Sequence, residues 1–248
     1  MDFNHVVEVF EEYIKSYDRK VMEIDLKYHH SYKVASLMEQ LASILKLTEE
    51  EVTLAKVIGL LHDIGRFEQF STFSSFNDRK TKQDHADQSC VYLFEEGHIR
   101  AFLTETKYDA ILEKAIRYHN KFALPEDLTK KERLFCEMIR DMDKVDIYYQ
   151  NGTHFSRQFQ KDTINPEVLA TFHRHQTIPV TLVKSKSDAV LVNLAFLFDI
   201  NFKESYAILK ETGNFDVFLS SVFVEENSKE LWGELVKECY QVIEKGSF

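Results

Sequence analysis

The sequence predicts an all-α fold. Apolar residues recur at helical spacing along most of its 248 residues, and several of these stretches begin with residues that cap helix N-termini. The chain contains only 7 Gly and 3 Pro, and no Ser-, Gly- or Pro-rich stretch resembles a linker. We therefore expect a single domain over residues 1–248, long enough to bury a substantial core.

In the N-terminal half, two kinds of signal predict helices. The first is an apolar stripe on one face of an amphipathic helix, formed by Val34, Leu37, Met38, Leu41 and Leu45. The second is the capping box: Thr48 and Glu51 start a helix that should continue to His62, and Thr129 and Glu132 start another. Further helices are predicted at about 5–17, 79–96 and 107–120, and the Phe-rich segment 66–79 is predicted as a loop.

The C-terminal half is also predicted to be helical. Asn165 and Pro166 suit the N-cap and first turn of one helix, and others are expected at about 188–199, 202–212 and 227–245. Only 178–183 resembles a strand, and Pro179 argues against a central one. Residues from about 165 to 248 should form a helical extension, whose predicted core residues are Phe196, Leu197, Phe198, Ile200, Phe202 and Trp232.

Composition excludes several classes of protein. Lys and Arg total 31 and Asp and Glu total 41, so the net charge of −10 should repel membranes and prevent non-specific binding of nucleic acid. The acidic N-terminus does not resemble a signal or transit peptide, and no apolar run approaches the roughly 20 residues of a membrane span. Three dispersed cysteines form neither a disulfide framework nor a zinc motif. The expected location is the cytoplasm.

Metal-capable side chains fall in register with the apolar faces of separate helices. His30 lies one turn before the apolar stripe, His119 continues the inner face of the helix at 107–120, and Asp143 lies on the inner side of its own helix. His62 and Asp63 are about 100° apart around a helix end, so both could reach one ion.

His85 is a further candidate near the start of a predicted helix. Taken alone, each of these residues is more often a hydrogen-bonded core residue, a cap or an ion-pair partner. Together, imidazoles and carboxylates without thiolates are the ligands of a divalent metal ion that keeps an open position for catalysis. Without an ion, several buried polar groups would need other partners.

The order of these residues resembles the HD-domain superfamily of metal-dependent phosphohydrolases. The family pattern H…HD…D is similar to His30 in HSYKV, His62-Asp63 in LLHDIGR and Asp143 in IRDMDKVD, over residues of about 25–150. The resemblance implies a helical bundle with additional C-terminal helices. It also implies that His30, His62, Asp63 and Asp143 bind one metal ion.

The two additional histidines resemble the two-metal branch of the superfamily, which includes cyclic-dinucleotide phosphodiesterases. By that resemblance Asp63 would bridge two ions, and His85 and His119 would hold the second. Asn120 follows His119 where the cyclic di-GMP enzymes have other elements, and Gly65-Arg66 replaces the acidic pair of the (p)ppGpp hydrolases. The chain is most similar to small bacterial HD proteins with an HDIGRFEQ-type segment.

The resemblance implies hydrolysis of a nucleotide or other small phosphoester, a phosphomonoester or a phosphodiester, by attack of a metal-activated hydroxide. Mn, Fe, Zn or Mg could supply the one or two ions. Asp63 would be catalytic as the bridge, and Arg66 and Lys144 would hold phosphate, although each could instead form an ion pair. Two alternatives stay open: a di-iron oxygenase of the same superfamily, and a non-catalytic metal-binding sensor or scaffold.

Overall fold

The computed structural model, which describes residues 1–246, consists mostly of α-helices and confirms the predicted all-α class. The chain divides into two compact units, Met1–Asp143 and a second that begins at Lys144. This boundary lies earlier than the extension expected from about 165. That residues 1–248 form one domain stays a prediction.

The first unit contains the helices that carry the predicted metal ligands. Its elements are α1 (Phe3–Ile14), α2 (Met22–Ile44), α3 (Glu49–Leu61), α4 (Gly65–Phe73), α5 (Asp78–Thr81), α6 (His85–Cys90), a π-helical turn (Val91–Glu95), α7 (Ile99–Phe102), α8 (Asp109–Tyr118) and most of α9 (Lys130–His154).

Helices α2 and α3 pack closely in this unit because their backbones meet at a glycine. A Cβ atom added to Gly59 would lie 2.7 Å from Cα of Ala35, so only glycine permits this approach. The predicted stripe on α2 is buried from Val34 to Leu41. The capping box of α3 is also present: Glu51 N donates to Thr48 Oγ1, and Thr48 N donates to Glu51 Oε2 at 3.0 Å.

The prediction of a loop at 66–79 is wrong for its first half, which is α4. Phe67 of this helix is fully buried and contacts the aromatic rings of Phe10, Tyr13 and Tyr17, so tertiary packing stabilises a helix whose apolar pattern is weak. The helix ends at Ser74, whose φ of 49° interrupts the helical backbone.

The predicted helix at 79–96 is interrupted. Lys82 has a φ of 58°, which ends α5 and separates it from α6. Asp84 then caps α6, because its side chain accepts hydrogen bonds from the backbone N–H groups of Ala86 and Asp87. This break fixes His85 as the first residue of a new helix.

The second unit is mainly helical and contains two short parallel strands, β1 (Arg157–Phe159) and β2 (Val222–Val224), in which Arg157 pairs with Val222 and Phe159 with Val224. Its helices are α10 (Pro166–His173), α11 (Lys186–Ala195), α12 (Lys203–Thr212), α13 (Asn214–Ser220) and α14 (Lys229–Lys245). Short 3-10 turns lie at Lys161–Thr163, Val180–Leu182, Phe196–Asp199 and Glu226–Ser228.

The sequence placed extended structure at 178–183, and this prediction is wrong because that segment contains a 3-10 turn instead of a strand. The core prediction for this unit is partly confirmed: Leu197, Phe198 and Ile200 are buried, whereas Phe196, Phe202 and Trp232 are only partly covered. Within residues 1–246, no helix has both the length and the apolar character needed to cross a bilayer.

The charge of Glu51 should make stability depend on pH. The hydrogen bond from Lys131 and those from Thr48 lower the pKa of Glu51 to about 2, whereas an unfolded glutamate has a pKa of about 4.3. Because the pKa of Glu51 is lower in the folded state, its ionised side chain contributes fully to stability above about pH 4.3. This contribution is lost as the pH falls toward about 2.

We expect Glu51→Gln to lower the free energy of unfolding by about 1 kcal/mol at neutral pH, because the pair with Lys131 is partly exposed. The loss should shrink as the pH falls from about 4.3 to about 2, as measured by urea titration at several pH values. Glu49→Gln removes the same charge from an exposed site in the same turn and is the control. Equal losses in both variants would contradict the stabilising role of the Glu51 charge.

Candidate metal centre

Five helices or helix ends bring six metal-capable side chains together in the first unit. His30 lies within α2, His62 ends α3 and Asp63 follows it; His85 begins α6 and His119 ends α8. Asp143, on α9, is the last residue of the unit. Three overlapping groups of these residues have ligand atoms within 4.8 Å of one another. The structure therefore brings together all six residues that the sequence put forward as metal ligands, and their binding of an ion stays a prediction.

The first group surrounds one oxygen of Asp63. Oδ2 of Asp63 lies 3.6 Å from Nε2 of His30 and 3.6 Å from Nε2 of His62. Oδ1 of Asp143 lies 3.1 Å from Nε2 of His30 and 3.6 Å from Nε2 of His62, and the two Nε2 atoms are 3.2 Å apart. Two imidazole nitrogens and two carboxylate oxygens thus converge on one point.

The second group surrounds the other oxygen of Asp63. Oδ1 lies 3.5 Å from Nε2 of His85 and 3.5 Å from Nε2 of His119, and these two nitrogens are 3.0 Å apart. Asp63 therefore directs one oxygen to each group, which is the arrangement that a carboxylate bridging two ions requires.

Hydrogen bonds at the opposite ring nitrogens determine which way the imidazole lone pairs point. Nδ1 of His62 is 2.8 Å from the carbonyl oxygen of Gly59, and Nδ1 of His119 is 2.7 Å from that of Ile116. A carbonyl oxygen can only accept, so each Nδ1 carries the proton. When these imidazoles are neutral, Nε2 therefore carries a lone pair that is directed into the cluster.

A carboxylate orients the ring of His85 in the same way. Its Nδ1 is 2.7 Å from Oδ2 of Asp78, so Nδ1 donates and the lone pair of Nε2 faces the lone pair of His119 at 3.0 Å. Between them, Oδ1 of Asp63 is buried and receives no hydrogen bond. These acceptors repel one another unless a cation lies among them, so the residues fit a divalent metal ion.

The protonation states also suit metal binding. Burial would raise the pKa of Asp63, but the Lys27 ammonium holds it well below its ordinary value. Burial lowers the pKa of His62, and burial with the nearby Arg66 guanidinium lowers that of His85 to about 4. Both histidines are therefore neutral at neutral pH, and Asp63 is ionised, as metal ligands must be.

The two residues predicted to hold phosphate have other partners. Nη1 of Arg66 donates to Oε1 of Gln69 and to the carbonyl of Phe76, both at 2.7 Å, and to Oδ1 of Asp78 at 2.9 Å. Its Nε lies 3.8 Å from Oδ1 of Asp63 and makes no hydrogen bond. Arg66 thus borders the cluster and also anchors the segment that follows it.

Lys144 lies at the start of the second unit. Its Nζ is 2.7 Å from Oδ2 of Asp199 and 3.0 Å from the Asp199 carbonyl oxygen, and the residue is 8% exposed. It therefore forms a largely buried ion pair with Asp199. A catalytic role for Lys144 stays a prediction.

Two residues that contact the cluster were not predicted from the sequence. Lys27 binds Asp63, and Asp78 orients His85. Lys27 lies three positions before His30 on the same helix, so helical spacing could have identified it. Asp78 lies in a segment without periodicity, and no pattern in the sequence pointed to it.

Comparison with protein families gives a match that covers this cluster. Residues 28–148 match the family described as HD domain. The chain carries an HD domain. This family is largely composed of metal-dependent phosphohydrolases, and the HD domain of this chain has clustered His and Asp side chains that could hold a metal. Searches of curated proteins and of solved structures found no match.

Gly59 should be essential to the geometry of the HD domain. Gly59→Ala places a methyl group 2.7 Å from the α2 backbone, and overpacking of this kind costs about 1–3 kcal/mol. Because the Gly59 carbonyl also orients His62, we expect a lower melting temperature together with less bound metal per chain.

Gly233→Ala is the matched control, because this glycine lies in α14 with no neighbouring atom within 4 Å of an added Cβ. It should stabilise the protein by about 0.5–1 kcal/mol and leave the metal content unchanged. A Gly59→Ala protein as stable and as metal-rich as this control would disprove the close approach of α2 and α3.

Proposed function

We propose that this chain is a metal-dependent phosphohydrolase that cleaves a nucleotide or another small phosphoester with two divalent ions. The ligands would be His30, His62, Asp63 and Asp143 for one ion, and Asp63, His85 and His119 for the other. The main support for the proposal is the position of Asp63. Each of its two oxygens faces the Nε2 atoms of a different pair of histidines.

The chemistry follows from the charge in this pocket. Bound divalent ions would supply Lewis-acid stabilisation of the phosphoryl group and a lower pKa for an attacking water. The protein contributes the fixed positions of the ligands: carbonyl and carboxylate acceptors orient the rings of His62, His85 and His119 before any ion binds. Such orientation reduces the reorganisation needed in the reaction.

Metal content tests the two-ion assignment. We expect about two ions per chain in the purified protein by elemental analysis, and about one after His85→Ala or His119→Ala. His29→Ala is the control, since this neighbour of His30 is 67% exposed and should retain both ions. One ion per chain in the parent protein would remove His85 and His119 from the ligand set.

The reaction is tested with the same preparations. A panel of phosphomonoesters, phosphodiesters and nucleotides, assayed with Mn²⁺, Fe²⁺, Mg²⁺ and Zn²⁺, should reveal hydrolysis that a chelator abolishes. An iron-dependent visible absorption band without phosphoester turnover would support the oxygenase alternative. Stable metal binding without turnover in any assay would support a sensor or scaffold.

Substitution of Arg66 tests whether its guanidinium holds phosphate in the site. Its guanidinium borders Asp63, so Arg66→Ala should lower kcat/KM on a phosphoester by about 10²-fold, because a charged donor to the reacting group is removed. The metal content should remain at the parent value. The exposed Arg79→Ala variant is the control for loss of positive charge nearby. Loss of metal together with turnover would instead assign Arg66 to the support of Asp78 and His85.

A further inference from the structure

Lys27 forms an ion pair with the central carboxylate of the cluster. Its Nζ lies 2.6 Å from Oδ2 of Asp63, and the two side chains are only 13% and 3% exposed. Lys27 is on α2, three residues before His30, so the same helix supplies a ligand and a competing cation. Nothing in the HD pattern drawn from the sequence involves this residue.

The oxygen that Lys27 binds is the one that the first metal group needs. Oδ2 of Asp63 is also the oxygen that lies 3.6 Å from Nε2 of both His30 and His62. An ammonium group has three donors and no lone pair, so it cannot be a ligand. It can only neutralise the carboxylate, and its charge repels a dication nearby.

We propose that Lys27 and a metal ion compete for Oδ2 of Asp63, and that metal binding releases the Lys27 ammonium to hold an anionic phosphoryl group. In the metal-free protein, Lys27 supplies the positive charge that this buried carboxylate requires. When a metal ion binds, Lys27 leaves Oδ2 but stays beside the site. The phosphoryl part of this inference rests on the proposed function.

The surroundings of Lys27 favour an anion. Its Nζ lies 5.7 Å from the centroid of the Phe76 ring, and Cζ of Arg66 lies 5.6 Å from the same centroid. The two cations that border Asp63 therefore also border one partly buried aromatic ring. A phosphoryl group between them would receive charge-assisted hydrogen bonds from both.

Metal affinity gives the first test and requires no turnover. The dissociation constant for Mn²⁺ is measured by competition with a chelator, for the parent protein and for Lys27→Met, Lys27→Gln and Lys27→Arg. We expect at least tenfold tighter binding in the Met and Gln variants and a nearly parental value in the Arg variant, which keeps the charge. Lys33→Met, at an exposed position of α2, should change affinity less than twofold.

Thermal melting without metal gives a second readout. Lys27→Met should melt at a lower temperature than the parent without metal, because Oδ2 of Asp63 is left buried without its ammonium partner. It should also show the larger rise in melting temperature when Mn²⁺ is added. If Lys27→Met does not fold without metal, Lys27→Gln retains a donor and serves instead. Unchanged or weaker Mn²⁺ binding in both variants would overturn the competition, since Lys27 would then support the ligand.

The affinity for inorganic phosphate tests whether the released Lys27 ammonium holds an anion. Calorimetric titration of the Mn²⁺-loaded proteins should show at least tenfold weaker phosphate binding in Lys27→Met than in the parent, and a smaller loss in Lys27→Arg. Tighter Mn²⁺ binding with unchanged phosphate affinity would overturn the phosphoryl role. Neither the Mn²⁺ affinity nor the phosphate affinity depends on hydrolysis. A protein that showed both expected changes but hydrolysed no phosphoester would therefore contradict the proposed function and leave the role of Lys27 supported.

Discussion

The buried carboxylate of Asp63 requires positive charge, and this requirement organises the first unit. Its side chain is 3% exposed, and acceptor atoms of four histidines face its two oxygens. A cation held among these acceptors would constrain α2, α3, α6 and α8 at the same time, because each of these helices or helix ends places one ring near the same carboxylate. A small displacement of any one helix would move its nitrogen away from this carboxylate and out of reach of a shared cation.

Two glycines next to the HD pair allow the helices to come this close. An added Cβ at Gly59 would meet the α2 backbone, and one at Gly65 would lie 2.7 Å from the backbone nitrogen of Ser89 on α6. Gly65 N also donates to Ser89 Oγ, which in turn donates to the carbonyl oxygen of His85. Steric fit and hydrogen bonding thus fix α6, and with it His85, relative to Asp63.

Local signals in the sequence were sufficient for much of the fold. The capping boxes at Thr48 and Thr129 mark helix starts through contacts within a few residues, and they lie where α3 and α9 begin. Helix α4 was missed because its stability comes from distant aromatic rings, and the two strands were missed because each has only three residues. The cluster was predictable by type and register. Helical spacing places Lys27 one turn before His30, but its contact with Asp63 also depends on how two helices meet, which spacing within one helix does not specify.

The parallel pairing of β1 with β2 has a consequence for the order in which the second unit forms. Parallel strands need a long connection, and here the chain between them contains α10 to α13. Closing so long a loop costs entropy before the ladder contributes any hydrogen bond. During synthesis, β1 leaves the ribosome with its partner strand not yet made. The second unit must therefore complete its folding late, after the first unit has all of its own residues available.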